Sequence, residues 1–289
     1  MQWFAEQFEA HRPHLRAVAY RMLGSLAEAD DALQDAWIRT TRADSRSIDN
    51  IGAWLTTLVG RACIDLLRAR RSRRENLVGT RLPEPVVSLG ATLDPEQSSL
   101  LADAVGLALM VVLDSLDPAE RLAFVLHDMF GVPFDEIAAI VDRTPAATRQ
   151  LASRARRRVR GAATGRDTDL TTQRRVVDAF LAAARAGDFA ALLTLLDPDV
   201  VFQSDTGPQT PFAPARLTGA AVVARHTAAH GPRFATLCEP ALVNGAAGVV
   251  ARTRSSVVAV VGLTVTNGRI SEIDLIVDPG KLAGFTISG

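Results

Sequence analysis

The sequence is poor in cysteine, lysine and aromatic residues, and it has no long hydrophobic run. Two of its 289 residues are cysteines. Cys63 and Cys238 lie far apart without metal-binding spacing, so neither a disulfide framework nor a metal site is predicted. The longest apolar stretch, near 257–265, is too short to span a membrane, and the N-terminal MQWFAEQFEAHRPH does not read as a signal peptide. We therefore expect a soluble, cytoplasmic protein without membrane contact, metal or cofactor.

The basic residues are almost all arginine, and Lys281 is the only lysine. The formal net charge is zero, with 32 basic and 32 acidic residues, so any positively charged surface must be local. A content of 48% hydrophobic residues allows real cores. This length predicts two domains or three small ones.

Residues 1–75 read as three helices, because apolar residues recur at spacings of three and four. The second, SLAEADDALQDAWIRT, has Ser25 as a plausible N-cap and Leu33, Trp37 and Ile38 on its predicted apolar side. The third begins near Ile51 and ends in a basic cluster that comprises Arg68, Arg70, Arg71, Arg73 and Arg74. We expect these helices to form one domain.

Residues 76–99 contain prolines and glycines and are predicted to be a linker. Helical periodicity resumes over 100–162. There Asp117 and Pro118 begin one helix, and PFDEIAAIVD, a tight turn and a basic helix capped by Thr144 follow. This order is a helix-turn-helix pattern. A second linker is predicted at 163–169.

Residues 170–289 change in character to α+β. Two helices precede strand-like segments, and Asn267-Gly268 separates two of these as a hairpin turn. In the strand after this turn Ile273, Leu275 and Val277 alternate with acidic residues, which predicts one buried face. The alternation places Asp274 on the polar face.

The basic helix TPAATRQLASRARRRVRG is predicted to pack through one narrow apolar stripe of Ala147, Leu151, Ala155 and Val159. The opposite side is small and polar, able to enter a major groove, and comprises Thr148, Arg149, Ala152, Ser153 and Arg156. The arginines of its last turns would lie near phosphates: Arg157, Arg158 and Arg160. The alternative is a solvated helix end, at which the helix dipole stabilises the positively charged arginines.

The second helix is acidic, because EADDALQD places Glu28, Asp30, Asp31 and Asp35 along it. Such a surface would repel DNA, which favours a protein partner. The alternative is an exposed acidic helix without a partner.

Residues 1–75 resemble region two of the extracytoplasmic-function sigma factors, the promoter-recognition subunits of bacterial RNA polymerase. DDALQDAWIR is similar to the motif that binds the polymerase beta-prime clamp helices, and the matching residues are Asp31, Gln34, Asp35 and Trp37. WLTTLVGRACIDLLRARR resembles the helix that melts and reads the minus-ten element. That resemblance implies DNA contacts by Arg61, Arg68, Arg70 and Arg71. The loop Thr41–Asn50 matches the place where the family captures a flipped base.

The segment LDPAERLAFVLHDMFGVPFDEIAAIVDRTPAATRQLASRARRR resembles region four of the same family, which reads the minus-thirty-five element. The DNA-binding positions implied there are Thr144, Thr148, Arg149, Ser153, Arg156 and Arg157. The resemblance implies two all-α sigma domains, the second with a helix-turn-helix, whose partners are core RNA polymerase and promoter DNA. It implies no catalytic residue.

The rest of the chain is similar to the sigma-J-like subgroup, which carries a fused C-terminal α+β SnoaL-like cone. RLPEP and DPGKL resemble a linker motif and a tail motif of that subgroup, and SDTGPQT resembles a third motif. The resemblance implies an interdomain contact that tunes sigma activity, formed by Leu82, Pro83, Glu84, Pro85, Asp278, Pro279, Lys281 and Leu282. A cone of this kind also has room for a small apolar ligand.

Two other functions are compatible with parts of the chain. A ligand-responsive helix-turn-helix regulator that works without polymerase would need only residues 100–289. A SnoaL-like enzyme could use Asp205, His226 and His230 as acid and base groups.

Overall fold

The computed structural model describes residues 2–40, 48, 50–73, 82–88, 106–163, 166–167, 169–208, 213–254, 256–283 and 285. The described residues fall into two compact units. The first contains 2–73 and 109–162, so the two helical segments assigned to regions two and four share one unit. The second contains 166–285 together with 82–88 and 106–108. The predicted flipped-base loop lies outside the described residues, except for Ile48 and Asn50.

Three helices form the N-terminal part of the first unit: α1 (Gln2–Leu23), α2 (Leu26–Thr40) and α3 (Ile51–Arg73). Each helix packs on the other two. The Ser25 side chain accepts a hydrogen bond from the Glu28 N–H at 3.4 Å, as expected of an N-cap. Leu33 is buried, but Ile38 is 45% exposed. The prediction that Ile38 lies on the apolar side is therefore wrong.

The next helix, α4 (Gly106–Asp114), begins in the second unit and continues into the first, which is extended by α5 (Pro118–Phe124), α6 (Phe134–Val141) and α7 (Pro145–Ala163). Asp117 caps α5, and a π-helical turn at Val125–Met129 follows that helix. Asp142 takes φ +55 and ends α6, and the Thr144 hydroxyl accepts the Ala147 N–H at 3.2 Å. The predicted helix-turn-helix is present.

The second unit is built on a mixed sheet of seven strands among the described residues. The strands are β1 (Val87–Ser88), β2 (Leu196–Asp205), β3 (Arg216–Thr218), β4 (Cys238–Val243), β5 (Ala246–Arg252), β6 (Val257–Thr266) and β7 (Arg269–Ile276). Their order is β1-β4-β5-β6-β7-β2-β3. Only β2 and β7 pair in parallel within this sheet. Asn267 and Gly268 have positive φ angles in the β6–β7 turn, as the Asn-Gly signal predicts.

Among the described residues of 166–285 there are four helices: α8 (Leu170–Ala186), α9 (Phe189–Leu195), α10 (Ala220–Phe234) and α11 (Pro279–Leu282). A 3₁₀ turn, Ala235–Leu237, follows α10. The first three pack on one face of the sheet around a core that includes Phe180, Leu192 and Phe202. None of the helices in the described part of the chain combines the length and the apolar character that crossing a membrane requires.

The strand β7 departs from the predicted one-sided pattern. Ile273 is buried as expected, but Asp274 is also buried, at 2% exposure, and so is Ile276. Both faces of the sheet are covered at this point, so an alternation of polar and apolar residues does not identify a solvent-facing side.

Candidate functional sites

The acidic face of α2 is the candidate polymerase-binding surface. Asp31 and Gln34 are exposed, and Asp35 is half-buried. The Asp35 carboxylate forms an ion pair with Arg39 at 2.7 Å. Because Ile38 lies one turn beyond Gln34, it adds an exposed apolar side chain to this polar stripe. The face therefore offers charged, amide and apolar groups to a partner.

Trp37 holds this helix in place from its other side. Its ring is half-buried and contacts Phe8 of α1 edge-to-face, with ring centroids 5.3 Å apart. Phe8 itself is buried. Trp37 therefore anchors α2 on α1 by packing, whereas the residues on the exposed side are the ones that can reach a partner.

The basic end of α3 has both exposed and engaged arginines. Arg68 is exposed. Arg70 instead donates to the Glu28 carboxylate at 3.0 Å and to the Leu23 carbonyl at 2.8 Å. It therefore ties α3 to the beginning of α2.

Two arginines of α3 reach the region-four segment of the same unit. The exposed Arg71 forms an ion pair with Asp117, the residue that caps α5. Arg61 donates to the Ala139 carbonyl at 3.4 Å. In this arrangement the guanidinium groups of Arg61 and Arg71 contact protein, whereas the family resemblance implied that these residues contact DNA.

The packing face of α7 differs from the predicted stripe. The fully buried residues are Thr148, Ala152 and Ala155, whereas Ala147 and Leu151 are only half-buried. The Thr148 hydroxyl donates to the Thr144 carbonyl at 3.0 Å. The placement of Thr148 and Ala152 on the exposed side is therefore wrong. Thr148 does not offer its side chain to a groove.

Several polar residues of α7 do lie at the surface, including Thr144, Arg149, Ser153 and Arg157. The Arg149 guanidinium lies over the Phe134 ring, 5.7 Å from its centroid. This contact holds Arg149 near the first turn of α6. The exposed polar face of α7 is therefore narrower than the sequence predicted, but Arg149 remains on it near the N-terminal end of the helix.

Other arginines of α7 pair with carboxylates inside the unit. Arg156 forms an ion pair with Asp128, while Arg154 and Arg158 contact the two oxygens of Glu120 at 3.0 and 3.1 Å. Glu120 is buried. The sequence reasoning missed it, although one acidic residue at the beginning of α5 is the kind of partner that an arginine-rich helix needs. These pairs reduce the positive potential of α7.

A buried ionic contact joins the linker segment to the tail of the second unit. The Lys281 ammonium donates to the Leu82 carbonyl and to the Asp205 carboxylate. The same carboxylate accepts the Leu82 N–H at 2.8 Å. All three residues are buried. We call this set of three residues the linker–tail clamp.

The surroundings of the clamp are shaped by the tail motif. Asp278 caps α11 through the Gly280 N–H at 2.9 Å, with Pro279 at the first helical position. Gly207 has φ +69, and a Cβ there would lie 2.4 Å from the Asp278 carboxyl carbon. Glycine is thus required where β2 ends beside the tail. The remaining motif residues share this region: Pro83, Pro85 and Leu282 are buried, and Glu84 is half-buried.

A second buried polar group lies on β2 and β7. The Gln203 amide donates to the Asp274 carboxylate at 2.7 Å, and Arg216 donates to the Gln203 carbonyl oxygen at 2.8 Å. Burial raises the pKa of Asp274 to about 7, and the bond from Gln203 opposes that shift. Asp274 is thus a carboxyl group that titrates near neutral pH.

The groups considered for acid–base catalysis have other contacts. Asp205 belongs to the clamp. His226 and His230 lie on α10 with ring centroids 4.5 Å apart. Burial lowers the pKa of His226, and the neighbouring His230 lowers it further. The His226 ring also neighbours that of Phe202, with centroids 5.0 Å apart.

Comparisons with known proteins identify the family. Models of Sigma-70 region 2 and Sigma-70 region 4 match residues 7–73 and 106–159. The chain is 39% identical to the ECF RNA polymerase sigma factor SigJ of Mycobacterium tuberculosis over 96% of this chain and 93% of the relative. It is 32% identical to a probable ECF RNA polymerase sigma factor, SigI, of the same species, over 95% and 93%.

The fold gives the same result. The crystal structure of the Mycobacterium tuberculosis extracytoplasmic function sigma factor SigJ matches with a TM-score of 0.79 at 37% identity, covering 97% of this chain and 98% of the other. The predicted fold class, two helical sigma domains followed by an α+β domain, is confirmed. These relationships favour polymerase-dependent promoter recognition over a free-standing regulator. The chain belongs to the extracytoplasmic-function sigma factors of RNA polymerase, and its relationship to SigJ extends through the C-terminal domain.

Proposed function

We propose that the exposed face of α2 binds the beta-prime clamp helices of core RNA polymerase through Asp31, Gln34 and Asp35. The exposure of these groups supports this role, as does the packing of Trp37 on Phe8, which fixes the helix without using the face. Interfaces gain specificity from charged and amide groups arranged around an apolar contact. Ile38 would supply that contact.

Promoter DNA would be bound at two places. Arg68 and Arg71 would contact the backbone near the minus-ten element. Arg61 would join them once it leaves the Ala139 carbonyl. Their support is the exposed basic surface of α3, and backbone contacts of this kind make binding strongly salt-dependent. Arg70 would act indirectly, by fixing the helix end on Glu28.

The minus-thirty-five element would be read by the exposed face of α7. Arg149 and Ser153 lie near its N-terminal half, where a recognition helix meets base edges. Arg157 would contact phosphates. Arg156 would do so only after exchanging its Asp128 partner for DNA. Thr144 would serve as the cap that orients the helix.

The C-terminal domain would tune this activity through the linker–tail clamp. The clamp holds residue 82, which lies between the two DNA-binding segments, on the C-terminal domain. Closing or releasing it would shift the population between two linker arrangements that fit core polymerase differently. The single observation that carries this proposal is the contact of Lys281 with both Leu82 and Asp205. The chain would act in the cytoplasm and leave the chemistry of RNA synthesis to the polymerase.

In vitro transcription with bacterial core polymerase on a genomic promoter library tests the proposal. The full chain, its Lys281→Met variant and a chain ending at Gly161 are compared. We expect promoter-specific transcripts from the full chain and a changed yield from both altered forms. Equal transcription by all three would refute regulation through the clamp, and no transcript from any of them would refute the polymerase and promoter assignments.

A further inference from the structure

Asn244 contacts both ends of the segment 86–106, which leads from the linker into region four. Its side-chain carbonyl oxygen accepts the Val86 N–H at 3.1 Å, and its own N–H donates to the Val86 carbonyl at 2.7 Å. Its backbone carbonyl accepts the N–H of Gly106, the first residue of α4, at 2.9 Å. One buried residue thus joins residues 86 and 106.

The turn that carries Asn244 is built for these contacts. Asn244 and Gly245 form the two-residue turn between β4 and β5, with φ +50 and +79. Asn-Gly is the preferred pair for such a turn, because asparagine tolerates the left-handed region. A turn normally points its polar groups to solvent, whereas those of Asn244 are used by the linker.

Neighbouring contacts reinforce each end. Residues 87 and 88 form β1, which pairs with β4 through Val87–Val243 and Ser88–Leu242. At the other end Leu107 is buried against Gly262, where an added Cβ would lie 2.9 Å from the Leu107 side chain. None of these contacts uses Leu82, Asp205 or Lys281, the residues of the linker–tail clamp.

We propose that Asn244 is a clip that holds both ends of the segment 86–106 on the C-terminal domain. It thereby sets how the two DNA-binding segments are connected. The regulatory part rests on the function proposed above, since it assumes that the linker arrangement affects transcription. The structural part is argued from the three hydrogen bonds alone, and it can be tested without polymerase.

Hydrogen exchange of the full-length chain, followed by mass spectrometry on peptides covering Val86 and Gly106, tests the structural part. Asn244→Gly keeps the turn and removes the acceptor of the Val86 N–H. We expect about fivefold faster exchange at Val86, the effect of losing one ordinary hydrogen bond, whereas Gly106 keeps its acceptor, the backbone carbonyl of residue 244. Asn244→Asp keeps an acceptor oxygen for the Val86 N–H, so Val86 should exchange more slowly than in Asn244→Gly.

The chain offers a matched control in Asn267→Gly, which makes the same substitution in the other Asn-Gly turn. Faster exchange at Val86 in N244G, but not in N267G, supports the clip. Unchanged exchange in N244G overturns it.

In vitro transcription with the same variants tests the regulatory part. We expect N244G to change transcript yield in the same direction as Lys281→Met, because both release the linker. If only the Lys281 variant changes the yield, Asn244 has no regulatory role. If exchange is accelerated but neither variant changes the yield, the clip stands as a structural feature and the proposed regulation through the linker fails.

Discussion

Lys281 donates a hydrogen bond to the backbone carbonyl of Leu82, although 199 positions separate the two residues in the chain. The bond uses a charged donor in a buried setting, and such bonds are stronger than those between neutral groups. It connects the tail of the C-terminal domain to the linker that the two sigma regions share.

Lys281→Met should destabilise the second unit. The substitution leaves the Asp205 carboxylate buried without its cation, although the Leu82 and Gly207 N–H groups still donate to it. We expect the free energy of unfolding to fall by about 2–4 kcal/mol, measured by urea denaturation. The double variant Lys281→Met, Asp205→Asn removes the uncompensated charge and should recover part of the loss. Equal losses in the two variants would contradict this account.

Gln34→Ala and Asp31→Asn should weaken binding to core polymerase without lowering thermal stability, because both side chains are exposed. We expect each to raise the Kd about tenfold, equivalent to about 1.4 kcal/mol. Fluorescence anisotropy with purified core enzyme measures this. Glu9→Gln is the matched control, since Glu9 is an exposed carboxylate of α1 that pairs with Arg12. An equally weakened binding in Glu9→Gln would show that the effect is not specific to the face of α2.

The substitutions Arg149→Ala and Arg157→Ala should change DNA binding in two different ways. Loss of a base contact by Arg149 should relax sequence preference at the minus-thirty-five element at a cost of about 1–3 kcal/mol. Loss of a phosphate contact by Arg157 should weaken all sequences alike and reduce the salt slope by about one. Titrations of promoter variants with the reconstituted holoenzyme at several salt concentrations measure both effects. Arg254→Ala, an exposed arginine of the C-terminal domain, should change neither quantity.

Asp274→Asn should stabilise the protein above neutral pH. The folded-state pKa of Asp274, about 7, exceeds that of an unfolded aspartate, so the folded protein holds the proton more tightly. The stability of the unchanged protein should therefore fall by up to about 1.4 kcal/mol per unit as pH rises from about 4 to 7. The variant should lack this pH dependence, so its gain in stability over the unchanged protein should be largest at pH 8. Thermal denaturation from pH 5 to 8 measures it.

The control for that experiment is Asp178→Asn, since Asp178 is an exposed carboxylate of the same unit. Its melting temperature should follow the pH dependence of the unchanged protein. If Asp274→Asn does the same, Asp274 is not the group responsible.

Local signals predicted the caps and turns of this fold. Asp117, Thr144 and the Asn267-Gly268 turn all occur as expected, because each depends on residues only a few positions apart. The packing face of α7 could not be assigned in the same way. Its buried residues are Thr148, Ala152 and Ala155, and stripes of such small side chains differ little in apolar character from the neighbouring stripe.

Contacts between distant segments account for the other differences. Asp274 is buried because both sides of β7 are covered, which a single strand does not reveal. Family motifs indicated the contact of Lys281 with the linker. Asn244 was missed, although its Asn-Gly pair is a visible turn signal. No local pattern shows that a turn will serve as the attachment point for another part of the chain.

Because Lys281 is the only lysine in the sequence, its side-chain amine can serve as a reporter of the linker–tail clamp. An amine-acylating reagent has one lysine side chain to modify, and that side chain is buried while it holds Leu82 and Asp205. The rate of acylation at Lys281 would therefore report the population in which the tail has released the linker. That population could be followed in the native sequence, with and without core polymerase, and no probe would need to be introduced.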